Sequence, residues 1–247
     1  MAESEQLIAI GNLLIAFLPP IAVILILFKW TTDGPESIYA VTRMLGQLLV
    51  VGYFLGFIFE SNNSLIVLLV LLLMVCASSW IALRTVKEDR AALLKSTFFA
   101  ILIGGGSSLL VITQFVLDLE SFYEARYVVP LAGMAFANAM NSISICAERF
   151  RAETQRQIAY KEARSIAFRS ALIPITNSLF AVGLVSFPGM MTGQILVGID
   201  PLIAARYQIM VMCMLFSSSG LSAACYLLLI KRYRAANSPQ ESKQESK

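Results

Sequence analysis

The stretch LIVLLVLLLMVCASSWIAL, residues 65–83, contains no charged side chain. Wound as an α-helix it is about 28 Å long, close to the ~30 Å hydrocarbon thickness of a bilayer. It has no polar face to turn toward water, so it belongs in lipid or against other protein. The whole chain agrees: of its 247 residues 57% are hydrophobic and 14% charged, and mean hydropathy is +0.73. Soluble domains carry about 25% charged residues, so a water-soluble globule and a disordered chain are both excluded. The expected fold is all-α and polytopic, with about seven transmembrane helices.

Outward from 65–83, six further apolar runs complete the set: 7–28, 38–59, 98–117, 128–146, 171–187 and 209–230. The acidic start Glu3 and Glu5 lacks the positive n-region of a signal peptide, so the first run is expected to be a retained span. The segments between runs alternate in charge. Seventeen of the 19 Lys and Arg residues fall on one face, and only Arg126 and Arg206 on the other. Cytoplasmic loops hold the Lys/Arg excess, which places the N-terminus outside and the C-terminus in the cytoplasm. Residues 1–234 then form one transmembrane domain, and 235–247 a polar, disordered cytoplasmic tail. No aromatic residues interleave with the basic ones as nucleic-acid stacking requires, so no nucleic-acid partner is expected.

The chain has no histidine. That removes imidazole bases, imidazole metal ligands and every Ser-His or Cys-His catalytic pair. Cys76, Cys146, Cys213 and Cys225 lie in or beside apolar runs without a CxxC pair, which indicates neither a disulfide framework nor a zinc site. No GxxxxGK[ST] phosphate loop is present, and Gly104-Gly105-Gly106 lies inside a span, where small residues let helices approach. No span carries a central charge of the kind that marks proton relays. An enzyme is not expected, and no cofactor is assigned to this chain.

Three segments stand out. ERFRAETQRQIAYKEARSIAFR (148–169) has no Pro or Gly, and Ala159, Ala163, Ile166 and Ala167 recur at helical spacing. It reads as one amphipathic cytoplasmic helix, lying on anionic headgroups or docking a cytosolic protein; its alternating acids and bases favour docking. PLAGMAFANAMN (130–141) puts Asn138 and Asn141 on one helix face, as interhelical hydrogen bonders or as pathway lining; Asn177 and Gln194 carry the same two readings. VSFPGMMTGQILVGIDPLIAARYQ (185–208) breaks at Pro188-Gly189 and leaves 187–199 apolar but too short to cross, either a re-entrant piece or an outer loop.

VPLAGMAFANAMN (129–141), the charged segment after it, and SALIPITNSLFAVGLVSFPGMMTGQILVGIDPLIAARYQIMVM (170–212) resemble the FetB family of ABC-transporter permease subunits. That family is linked to iron export, with plant relatives linked to aluminium tolerance. The resemblance implies an inner (plasma) membrane permease, working as a homodimer and powered by a separate ATP-binding subunit that uses the ATP. It also implies that Tyr160, Lys161, Glu162, Ala163 and Arg164 form the ATPase-coupling contact, although the Gly that usually follows such a motif is missing. Pro188, Gly189, Met190, Met191, Thr192, Gly193 and Gln194 would be the family motif near the transport path. Iron is implied by the family alone: Met134, Met140, Met190 and Met191 are soft donors better suited to copper(I), and the metal ligands stay unassigned. A permease for a polar organic solute or a metal chelate, or a seven-helix receptor, are the other readings of the same topology.

Overall fold

A computed structural model describes residues 10–60, 63–86 and 90–237. Among these the chain is helical throughout, with no strand. In order, the helices are α1 (Ile10–Ile15), α2 (Leu18–Trp30), α3 (Gly34–Glu60), α4 (Ser64–Ala82), α5 (Arg90–Val111), α6 (Ala125–Gln155), α7 (Tyr160–Ala181), α8 (Gly189–Leu196) and α9 (Pro201–Asn237). The acidic residues Glu3 and Glu5 and the start of the first run lie outside the described residues. Of the expected disordered tail, 238–247 lie outside them too, while 235–237 are the last residues of α9.

The chain divides into two compact units, Met1–Ile58 and Phe59–Lys247. In the first, Pro19 and Pro20 sit in the opening turn of α2, where a missing N–H leaves no hydrogen bond unmade. Thr31 closes that helix by donating its Oγ1 to the Leu27 carbonyl at 2.9 Å. In the second unit α4 starts at Asn63, whose side chain accepts from the Leu65 N–H at 2.9 Å, the usual N-cap device. Arg90 opens α5 with its guanidinium 3.5 Å above the Trp80 ring and donates from Nη2 to the Trp80 carbonyl at 2.6 Å. The start of α5 is thereby tied to the end of α4.

The core of the second unit forms around α9, against which α5, α6, α7 and α8 all pack. Small residues set the spacing. A Cβ placed on Gly104 would collide with the backbone and Oγ of Ser222 on α9, and one on Gly105 would meet the Phe136 ring of α6 at 2.9 Å. Ser218 on α9 donates to the Ala135 carbonyl of α6 at 2.6 Å. Within a bilayer helices have no hydrophobic drive to associate, so close backbone approach and interhelical hydrogen bonds hold them together.

Among the described residues six helical stretches are long and apolar enough to cross a membrane: Gly11–Trp30, Gly34–Phe54, Ser64–Thr85, Arg90–Val116, Ala125–Gln155 and Pro201–Lys231. Six of the seven expected spans coincide with them. The expected span 171–187 is not among them. Its helix, α7, stops at Ala181 and begins as early as Tyr160, so Lys161, Glu162, Arg164 and Arg169 lie within it and lower its mean hydropathy.

The glycine contact generates a prediction. Gly104→Leu should lower the Tm of the detergent-solubilised protein and cost about 1–3 kcal/mol, the usual penalty for overpacking. Gly46→Leu, at a glycine with nothing near its would-be Cβ, should leave the Tm within error. Thermal unfolding of the two variants side by side checks this.

Candidate functional site

The segment expected to be one helix over 148–169 is two. Helix α6 continues nine residues past the expected span end at 146 and finishes at Gln155. The chain turns at 156–159, and α7 starts at Tyr160. The turn has a definite cause. Gln157 takes a left-handed conformation, φ +61°. Its N–H reaches the Thr154 carbonyl at 3.0 Å, and the Ile158 N–H reaches the Glu153 carbonyl at 3.2 Å. This is the paired 6→1 and 5→2 arrangement of a Schellman C-cap. Glycine usually fills the left-handed position, and its absence is why the sequence suggests an unbroken helix.

Side chains lock the corner. Glu153, buried, forms an ion pair with Arg149, Oε1 lying 2.7 Å from Nη2, with exposed Arg156 Nη1 3.9 Å away. Phe150 and Tyr160 face each other across the corner edge to face, with centroids 5.7 Å apart. Tyr160 donates its OH to the Leu227 carbonyl of α9 at 2.7 Å. The Lys231 ammonium lies 5.2 Å from the same ring and the Arg164 guanidinium 5.9 Å from it. One phenol thus joins the end of α6, the start of α7 and the last apolar turns of α9.

The apolar stripe is used inside the protein. Ala163, Ala167, Ala171 and Ile175 are the buried residues of α7, and α7 packs on α6 and α9. Ala159 is exposed, lying just before the helix, and Ile166 is half-buried. The five residues proposed for coupling therefore separate. Lys161 and Glu162 are exposed, Arg164 and Tyr160 are half-buried, and Ala163 is fully buried. Ala163 packs within the core; the surface open to another protein consists of the corner and the exposed side of the first turn of α7.

The pathway residues do not converge on one point. Asn138 is half-buried and donates to the Met134 carbonyl of its own helix at 3.0 Å, which satisfies the amide locally. Asn141 and Asn177 are exposed. Pro188 is the N-cap of α8, and Gly189, Met190, Met191, Thr192, Gly193 and Gln194 lie within that eight-residue helix. Thr192 donates to the Pro188 carbonyl at 3.1 Å. The helix ends in a second Schellman cap, with Gly198 at φ +89° and the Ile199 N–H on the Gln194 carbonyl at 3.0 Å. Asp200 then accepts from the Leu202 N–H at 2.8 Å to start α9. The segment between the break and Asp200 is thus a short helix docked on α9.

Sequence reasoning missed a buried polar set on α9. Gln208, Ser219 and Ser222 are buried, and Gln208 Oε1 and both Oγ atoms have no hydrogen-bond partner in the chain. The clue was available: Gln208 and Ser219 are eleven residues apart, three helical turns, and so share one face of α9. Among the described residues no group of three or more His, Cys, Asp or Glu comes together in a way that could hold a metal ion.

The chain matches the UPF0014 family, described as an uncharacterised protein family, over residues 10–234. A UPF0014 membrane protein of Synechocystis is 31% identical over 212 residues, covering 80% of this chain and 82% of the relative. The protein ALUMINUM SENSITIVE 3 of Arabidopsis thaliana is 31% identical over 206 residues, 76% of this chain and 73% of its own length. An Escherichia coli protein named "Probable iron export permease protein FetB" is 44% identical over 126 residues, 44% of this chain and 48% of its own. No solved structure matches the chain.

The corner carries its own prediction. A non-glycine residue in the left-handed region costs roughly 1–2 kcal/mol. Gln157→Gly should therefore raise stability by about 0.5–1 kcal/mol, and Gln157→Val should lower it. Paired Tm measurements in the same detergent read both signs.

Proposed function

The chain belongs to the UPF0014 family of membrane proteins, and from that premise we propose that it is the membrane-spanning permease subunit of an ABC transporter that exports iron or another metal. A separate cytosolic subunit would bind and hydrolyse the ATP. The permease would work as a homodimer in the inner (plasma) membrane, each copy offering one ATPase contact. In this reading the N-terminus is outside, and α7 makes the sixth of seven crossings, returning the chain to the outer face before α9 descends.

The observation that carries the reading is the α6–α7 corner. A permease driven from outside the membrane needs a projecting element stiff enough to pass on a displacement. The corner has that stiffness: a Schellman cap, a buried carboxylate between two arginines, and an aromatic pair bonded to α9. A push on 156–162 would reach the Leu227 carbonyl through Tyr160. Export and iron come from the name of the Escherichia coli relative, with 44% identity over 126 residues in support. Passage of a chelate or a polar organic solute is the second reading. Gln194 Oε1, buried without a partner in the chain, favours it, since an amide suits such solutes better than bare iron.

Co-purification with the ATP-binding subunit tests the pairing. Glu162→Arg and Arg156→Glu, both at exposed positions, should each weaken retention of that subunit roughly tenfold, about 1.4 kcal/mol. Tyr160→Phe keeps the ring and removes one hydrogen bond, worth about 0.5–1.5 kcal/mol. It should leave retention intact and lower the amount transported per ATP. A membrane protein that never holds an ATP-binding subunit, or a gene deletion with unchanged cellular metal content, counts against the proposal.

A further inference from the structure

A cavity of about 410 Å³ lies between α4, α5 and α6, within the usual 300–1,000 Å³ range of small-ligand sites. Its floor is Val75, Leu109 and Phe136, all buried, and its rim includes Leu68, Leu72 and Leu110, all exposed. The groove therefore opens on the side that lipid would cover. Gly106 widens it: a Cβ there would meet only Leu102 Cδ1, at 3.9 Å, so the missing side chain leaves space that no other group fills. Along α5 the lining runs from Phe98 to Thr113, about 22 Å at 1.5 Å per residue. One leaflet of a ~30 Å hydrocarbon core is about 15 Å deep, so an extended hydrocarbon chain fits the groove along its length.

The lining is apolar except for Thr113 and Gln114, which stand together at one end. After α5 the backbone makes a π-helical turn, Ile112–Val116, with the Leu117 N–H on the Ile112 carbonyl at 2.9 Å. Such turns interrupt the register of a helix and recur at functional sites. Gln114 sits in this turn and lines the cavity, and its Nε2 is buried with no hydrogen-bond partner in the chain. Burying an amide donor without an acceptor is costly, so the site calls for an acceptor that arrives with a ligand. The next residues fold back, with the Leu119 N–H on the Thr113 carbonyl at 3.1 Å, and Phe122 closes the same end. This loop carries Asp118, Glu120 and Glu124, with Arg126 one turn on. Those charges sit at headgroup level. Gln114, four residues before Asp118, then lies about 6 Å deeper, at the level of the glycerol esters.

We propose that this groove binds one acyl chain of a zwitterionic phospholipid. The ester carbonyl accepts from Gln114 Nε2, and the ammonium headgroup is held near Asp118, Glu120 and Glu124. Three carboxylates against one arginine favour a headgroup that carries a cation and disfavour a purely anionic one. The proposal does not depend on the transported species or on an ATPase partner.

Native mass spectrometry of the full chain in mild detergent, after exposure to equimolar phosphatidylethanolamine and phosphatidylglycerol vesicles, tests it. Wild type should retain one phosphatidylethanolamine per chain, several-fold in preference to phosphatidylglycerol. Gly106→Leu should fill the groove and abolish retention. Gln114→Leu, similar in shape, should weaken retention roughly three- to tenfold with an unchanged Tm, and it keeps the test intact if Gly106→Leu fails to fold. Equal retention of the two lipids overturns the headgroup assignment, and retention unaffected by both variants overturns the site. A wild type that holds no lipid, together with a Gly106→Leu variant of altered oligomeric state, would show a groove covered by protein and would also overturn it.

Discussion

The approach of α5 to α9 at Gly104 is the contact on which the second unit depends. Ser222 lies where a Cβ on Gly104 would be, so only a hydrogen there allows the two backbones to meet. In lipid that approach replaces the hydrophobic collapse a soluble protein would use. Once α5 and α9 meet, Gly105 seats the Phe136 ring and Ser218 reaches the Ala135 carbonyl, which brings α6 to the same seam. Helix α7 then lies against both α6 and α9 through its alanine face. Gly104, Gly105 and Ser218 thus decide how α5, α6 and α9 are arranged.

Helix α9 is also where the α6–α7 corner ends mechanically. Ser218 binds α6 within the seam, and Leu227, nine residues on, accepts the phenol of Tyr160. The corner is therefore fixed to the helix that forms the core. A loop of flexible residues in that place would absorb an applied force. The Schellman cap at Gln157 and the Arg149–Glu153 pair make it a stiff bracket. The apolar stripe over 148–169 is spent inside the protein: its alanines hold α7 on its neighbours, and the charges of α7 lie on the exposed side.

Much of the helical layout was legible in the residues. Long apolar runs had to be helices, because a lipid-exposed backbone must satisfy its hydrogen bonds within the segment. Pro188-Gly189 marked the start of α8 and Asp200-Pro201 that of α9, since proline restricts the backbone before it and aspartate caps a helix start. The turn at 156–159 was not legible, because it depends on a glutamine in a conformation where a glycine is expected. The tertiary contact of Tyr160 was not legible. Its partner, the Leu227 carbonyl, is 67 residues away in the chain. Asn138 and Asn141 looked equivalent by spacing, yet one is satisfied by its own helix and the other is exposed.

Taken alone, the sequence determined that this is an all-helical membrane protein and where six of its spanning helices run. Hydropathy and helix formation are local properties, and a run of some twenty apolar residues contains all the information they need. The tertiary structure decided which of those helices touch and what their polar residues do. It joined Gly104 to Ser222 and Tyr160 to Leu227, and it left Gln114 facing an apolar groove. Each of these depends on groups far apart in the chain meeting within a few ångströms, a condition set by close packing of whole helices and not written in any one segment.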